Sequence, residues 1–315
     1  MKKLLITAGG TATAWHICNI IKEFYKEEIQ IYICDINNRE LVPAALLCDR
    51  YFKVPLAKEP NYYTYMYHLL VEEKIDIIMP LLPYELELFS SDNKELKAAG
   101  IITTAPSLLT INQLNDKENM FNFCQKYDIP TIDLVSFHQL DADKKYLMKP
   151  KIGFGSLDIR VCFGKEIKEE YYEHYIVQEL CDTDGKVREV TAEIFNRNNG
   201  LKIMCRERIE IKSGVCTKMK VIRDDSMNDI IEKMVHAIEC PTAFNVQFIL
   251  DENAWKLMDV NLRLGAGTPL STSAGFQLTR ALLAVLLHYE IEEEWFNIDE
   301  QIKTVLRVYS EVKVY

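Results

Sequence analysis

The N-terminal third of this 315-residue chain alternates short apolar runs with amphipathic stretches. Residues 3–8 (KLLITA) form an apolar run that stops at Gly9-Gly10, and a helical pattern follows to about residue 25. Residues 29–34 (IQIYIC) make the next strand and end at Asp35. A helix over 40–50, a short strand at 52–54, a helix over 62–73, a strand at 75–80 and a helix over 84–98 complete the region. Apolar strands alternating with helices predict a parallel sheet covered on both faces.

Near residue 113 the rhythm changes. Asn115 or Asp116 can cap a helix running to about residue 127. Strands then dominate, at 146–150, 158–163, 175–180, 187–196, 201–211 and 215–222, with a helix at about 226–239. A hairpin over 243–261, a long helix over about 272–289 and a last strand near 303–314 follow. Strands in runs with few helices predict an antiparallel α+β unit. The expected fold class is thus α/β followed by α+β, with a boundary at about residue 112.

The hairpin carries the first chemical signal. Residues 243–250 (AFNVQFIL) and 255–263 (WKLMDVNLR) both alternate, around the turn-forming Asp251-Glu252-Asn253-Ala254. A turn centred on Asn253 sets Gln247 opposite Asp259 and Asn245 opposite Asn261. Asp259, Asn261 and Arg263 are spaced by two, so they share one face of the sheet. One carboxylate, amide oxygens and a guanidinium are a partial cage for magnesium, which keeps places for water and phosphate oxygens. Arg263 is placed to hold a phosphoryl oxygen or developing negative charge. An ordinary solvated hairpin face is the competing reading.

Other segments add to it. Lys149 ends a strand and leads into a loop containing Gly153, Gly155 and Ser156, where small residues let backbone N–H groups approach phosphates. The lysine precedes the glycines, so this is not the P-loop pattern. Residues 175–180 form a mostly apolar strand ending at Glu179-Leu180, whose main chain can bond an adenine edge. Glu189, Thr191 and Glu193 share a face on the next strand. Arg206, Arg208 and Glu210 alternate on another, and either arginine can clamp a substrate carboxylate, with surface salt-bridging as the alternative. His16 sits behind Gly9-Gly10-Thr11, as a packed helix residue or one facing a cleft. Asp35 stands where a dinucleotide-binding ribose acid would, but Gly-x-Gly-x-x-Gly is absent.

Composition narrows the classes. With 48% hydrophobic residues the chain can bury a sizeable core. A net charge of -10 argues against general nucleic-acid binding, yet one nucleotide needs only a few basic groups. Nine cysteines, an odd number without C-x-x-C spacing, read as reduced thiols in a cytoplasmic protein. No stretch reads as a signal peptide or membrane span.

Taken in order, these segments resemble the ATP-grasp superfamily. The likeness is carried by Asn245-Val-Gln247-Phe, then Asp259-Val-Asn261-Leu-Arg263, then the Ser/Thr/Gly-rich stretch to Ala274-Gly275-Phe276. It looks nearest to the carbamoyl-phosphate synthase large-chain type and spans roughly residues 1–290. The resemblance implies a Rossmann-like pre-ATP-grasp domain over 1–112. It implies an ATP-grasp domain over 113–315, with a lid subdomain at about 146–180 and nucleotide between antiparallel sheets. It implies that Lys117 and Lys149 contact ATP phosphates and that Gly153, Gly155 and Ser156 belong to a lid loop. Glu179 and Leu180 would line the adenine pocket, and Glu189 would meet the ribose. Gln247 and Asp259 would bind magnesium or manganese, Asn261 would complete a second ion's shell, and Arg263 would stabilise the transferred phosphoryl group.

The implied activity is ATP-dependent carboxylate–amine ligation through an acyl phosphate, with a small carboxylate and an amine as partners. A homodimer is the default expectation. The sequence departs from the family pattern in its glycine-poor lid and in Gln247, where an acid is usual. Its length does not accommodate a full carbamoyl-phosphate synthase. Two other readings remain: an ATP-binding sensor or assembly subunit without turnover, and a nicotinamide-dependent oxidoreductase built on the first sheet.

Overall fold

The computed structural model of the chain describes residues 1–153, 157–181, 187–197, 200–308 and 311–313. Its first sheet contains β1 (Lys2–Ile6), β2 (Ile29–Asp35), β3 (Arg50–Lys53), β4 (Ile77–Met79) and β5 (Ile102–Thr103). The order is β3-β2-β1-β4-β5 and every pairing is parallel. Helix α1 (Ala12–Phe24) starts at Thr11, whose hydroxyl accepts from the Ala14 amide. Helix α2 (Tyr62–Glu72) lies between β3 and β4. Gly9 is forced by the close turn out of β1, because a Cβ there would lie 2.3 Å from the Ile33 side chain.

Two expected helices here are shorter or absent. Residues 40–50 form two 3-10 turns, Arg39–Leu41 and Pro43–Leu46, since Pro43 supplies no N–H donor. The span 84–98 splits into α3 (Pro83–Leu86) and α4 (Lys94–Ala98), because Asn93 turns its side chain onto the Glu95 and Leu96 amides and starts a new helix. β5 and α5 (Leu108–Leu114) are additions that the hydrophobic pattern did not announce. Helix α6 (Lys117–Lys126) begins as expected at Asp116, which accepts from the Glu118 and Asn119 amides.

A three-stranded antiparallel sheet follows, β7-β6-β8, from β6 (Lys145–Pro150), β7 (Arg160–Phe163) and β8 (Tyr175–Glu179). The remaining strands, β9 (Glu189–Arg197), β10 (Gly200–Lys212), β11 (Val215–Ile222), β12 (Ala243–Asp251), β13 (Ala254–Asn261) and β14 (Val305–Leu306), build one antiparallel sheet. Its order is β13-β12-β9-β10-β11-β14. Helix α7 (Asp225–Ala237) connects β11 to β12. The helix expected over 272–289 is two, α8 (Thr268–Ser273) and α9 (Leu278–Leu286). Gly275 separates them at φ +106°, where a Cβ would meet the Asn297 carbonyl at 2.4 Å. Of the strand expected at 303–314, the described residues pair only at Val305 and Leu306.

The core runs through both larger sheets. Ile6 and Ile33 from the parallel sheet and Ile17 of α1 share one apolar cluster with Met204 and Met219 from the antiparallel sheet and with Leu278, Leu282 and Leu283 of α9. That shared packing fixes the C-terminal ends of β1 and β4 against the face of β9–β10–β12.

Candidate functional site

The hairpin register places the polar ladder. Asp251 pairs with Ala254 around a two-residue turn, Glu252-Asn253, in which both residues have positive φ. The register shifts between Gln247 and Phe248, because Phe248 pairs with Leu257 while Gln247 pairs with Asp259. Met258 is the extra residue of a β-bulge. The turn centre differs from the expected one, and the bulge restores the pairs Gln247–Asp259 and Asn245–Asn261. Asp259, Asn261 and Arg263 all line one cleft.

The ladder continues across the sheet. Gln247 pairs with Thr191 on β9, and Thr191 pairs with Arg206 on β10. One row therefore reads Asp259, Gln247, Thr191, Arg206. The adjacent row sets Asn261 beside Asn245 and Asn245 beside Glu193. This face is the floor of a cleft of about 920 Å³.

Lysines close over the Asp259 end. Capping by Asp116 fixes the start of α6, and the Lys117 amide donates to the Lys151 carbonyl at 2.9 Å. The Lys117 ammonium then lies 3.4 Å from the Asp259 carboxylate. Lys149 comes from β6 and is 6% exposed. Burial lowers its pKa, Asp259 opposes the shift, and Lys117 adds to it. Arg263 donates to the Leu264 carbonyl at 3.0 Å and keeps a buried Nε without a partner. Burial lowers its pKa too, against Asp259 and Glu85.

Both terminal nitrogens of Arg208 have partners. Its Nη1 donates to Glu189 at 2.8 Å and reaches Gln247 at 3.5 Å, and its Nη2 donates to the Gly214 carbonyl at 3.0 Å. Arg206 donates to Glu193 at 3.1 Å. Burial raises the Glu193 pKa, and Arg206 and the Thr268 hydroxyl oppose the rise.

The remaining candidates divide. Gly153, Leu180 and Glu189 line the cleft, with exposed Leu157, Ile159 and Val187 giving it an apolar wall. Glu179 does not line it: its carboxylate pairs with Lys144 at 2.6 Å, and Leu180 and Cys181 take its place at the strand end. Gly155 and Ser156 lie outside the described residues. His16 is buried against Thr279 at 3.1 Å and Thr272 at 3.3 Å, so it packs α1 onto α8 and α9. Asp35 accepts from the Gly10 amide at 2.8 Å and from Asn37, so it closes its own loop.

The sequence pattern missed several cleft residues: Thr11 to Thr13, Leu81 and Leu82, Gly265 to Gly267, and Arg307. The loop with Leu81 and Leu82 is tied down by buried Glu85, which accepts from Thr7 at 2.6 Å, from the Leu82 amide at 3.1 Å and from Tyr62. The glycines following Arg263 were the visible signal for 265–267. Arg307 follows the two-residue strand β14, which offered none.

Among the described residues, the cleft is lined by Lys117, Lys149, Arg206, Arg208, Lys212, Arg263 and Arg307 against the carboxylates Glu189 and Asp259. A chain of net charge -10 thus concentrates positive charge in one concavity, which suits a polyanion. No group of three or more His, Cys, Asp or Glu among the described residues could hold a metal ion. The oxygens of Asp259, Gln247 and Asn261 fit magnesium shared with phosphates rather than an all-protein cage. No helix among the described residues is long and apolar enough to cross a membrane.

Comparison with known proteins bears on this site. Residues 4–104 match the family model PylC-like, N-terminal domain, and residues 186–309 match ATP-grasp in the biosynthetic pathway with Ter operon. No curated protein matches the sequence. The fold is similar to the biotin carboxylase domain of 2-oxoglutarate carboxylase from Hydrogenobacter thermophilus, in complex with MgADP, ADP and bicarbonate. The TM-score is 0.74 at 14% identity over 95% of this chain and 72% of that one. It is also similar to N5-carboxyaminoimidazole synthetase from Staphylococcus aureus complexed with ADP, with a TM-score of 0.71 at 13% identity over 92% and 78%. Carboxyaminoimidazole ribonucleotide synthase from Aspergillus clavatus complexed with ATP gives 0.72 at 15% identity over 95% and 80%.

Proposed function

We propose that the chain, whose residues 186–309 match an ATP-grasp family model, is a Mg-ATP-dependent ligase that activates a carboxylate and joins it to an amine or a related nucleophile. The observation that carries this reading is the concentration of cations in one cleft whose floor presents Asp259, Gln247 and Asn261. The solved relatives complexed with ATP, ADP or MgADP support the same ligand here.

In this reading Leu180 and the apolar wall hold the base, Glu189 meets the ribose, and Lys117 and Lys149 hold phosphate oxygens. Asp259, Gln247 and Asn261 would hold magnesium, which neutralises phosphate charge when bound. Arg263 is placed to stabilise the transferring phosphoryl group. A carboxylate oxygen attacks the γ-phosphorus, the bond to the bridging oxygen breaks, and ADP leaves with the electron pair. The nucleophile's lone pair then attacks the acyl carbon, phosphate departs with its bonding pair, and the amine gives up its proton. The side chains contribute mainly position and charge; no general base is required of them.

The experiment is a coupled ADP-release assay with amino acids, small dicarboxylates and ammonia. The ligase reading expects ADP only when an acid and a nucleophile are both present. Mg-ATP binding without turnover under every combination would instead make the chain a nucleotide sensor or assembly subunit.

A further inference from the structure

The two ends of the polar row differ in what they leave open. At one end lysines already face Asp259. At the other, Arg206 is 3% exposed and lines the same cleft. Its Nη2 donates to Glu193, whose second oxygen accepts from Thr268 at 3.1 Å. Its Nε and Nη1 have no partner, and neither does the buried hydroxyl of Thr191 beside it. Buried donors in folded chains are nearly always satisfied. Such unpaired N–H donors of a guanidinium call for the oxygens of an anion.

Two neighbours fit the same purpose. A Cβ on Gly267 would lie 1.9 Å from Nη2, so only glycine lets the guanidinium rest against this backbone. The first turn of the 13-residue helix α1 enters the cleft at Thr11 to Thr13. Its leading N–H groups lack intrahelical acceptors and favour negative charge. Arg208 is not equivalent, because Glu189, Gln247 and the Gly214 carbonyl already engage both of its terminal nitrogens. Arg206 stands three strands from Asp259, about 14 Å between backbones at a spacing of about 4.8 Å. Side chains reaching inward leave room there for a small molecule.

Resting on the ligase reading, we propose that the acid substrate carries a second anionic group, and that the unpaired donors of Arg206 receive it beside the N-terminus of α1. The reacting carboxylate then lies toward Arg263. The second group is a carboxylate or a phosphate ester, since both present paired oxygens.

The test is calorimetric titration of the full chain with butyrate, glutarate and phosphoglycolate, at saturating Mg and a non-hydrolysable ATP analogue. Glutarate or phosphoglycolate is expected to bind at least about tenfold more tightly than butyrate, and whichever does so identifies the second group. Arg206→Lys and Arg206→Gln are expected to lose that preference while nucleotide affinity stays within about threefold. Equal binding of all three acids, or a preference that survives in both variants, overturns the proposal. If Arg206→Gln no longer binds nucleotide, Arg206→Lys, which keeps the charge without the fork, decides alone. If the unmodified chain binds no nucleotide, the ligase reading fails by itself, and the same titrations without nucleotide still decide the Arg206 site.

Discussion

Lys149 shows what the cleft demands of a single side chain. Its ammonium is buried, so the folded chain holds the proton less tightly than the unfolded chain does. The resulting destabilisation is present in full below the folded pKa and is relieved as pH rises from there toward the ordinary lysine value. Lys149→Met is therefore expected to raise the melting temperature of the nucleotide-free chain by roughly 2–4 °C. The same variant is expected to weaken Mg-ATP binding by at least about tenfold. Differential scanning fluorimetry with and without nucleotide reads both effects; a lower melting temperature without nucleotide would contradict the argument. Asp259 faces the opposite test. Asp259→Asn keeps the shape but removes the charge, and ADP release is expected to fall by about 10²-fold or more. A rate within a factor of a few of the original would remove Asp259 from the metal site.

At the scale of elements, the hairpin depends on one residue. Met258 is the bulge, and the strand period is two. Inserting one alanine between Met258 and Asp259 would set Asp259 opposite Val246 and Asn261 opposite Phe244, on the other face. Nucleotide binding is expected to disappear while the far-ultraviolet circular dichroism stays close to that of the parent; retained binding would show that the ladder is not the site. His16 ties α1 to α8 and α9, and burial, then the charge of Arg307, lowers its pKa from 6.5 to about 4. Because the folded value is depressed, neutral His16 stabilises fully above the unfolded pKa and loses that contribution as pH falls through the folded one. The loss, between pH 6.5 and about 4, is up to about 3 kcal/mol. Melting curves of the parent and of His16→Gln should converge as the pH drops through that window; parallel curves would refute the link. Much of this scale was legible in the sequence. Alternation placed Asp259, Asn261 and Arg263 on one face, and Asp116 announced α6. The break between α8 and α9 was not legible, because Gly275 is dictated by the Asn297 carbonyl across the fold. The Glu179 carboxylate turns to Lys144, whereas the adenine contact expected at this strand end was one of main-chain groups.

At the scale of the whole molecule, the apolar cluster that joins β1, α1 and α9 to β10 and β11 argues against an independent first unit. A fragment ending at the proposed boundary, residue 112, would expose Ile17 and Ile21 of α1. It is expected to show poor amide dispersion and a broad thermal transition, whereas sharp, dispersed spectra would show that the parallel sheet folds alone. The same union of lobes bears on how the cleft fills. Lys117 and Asp259, from α6 and from the hairpin, already answer each other's charge. A divalent cation arriving alone meets an acid with an ammonium at its side. A cation arriving on a polyphosphate brings the anion that relieves Asp259 of that ammonium. Filling the site is then an exchange of partners, and its rate should follow the concentration of the metal–nucleotide complex rather than that of free metal.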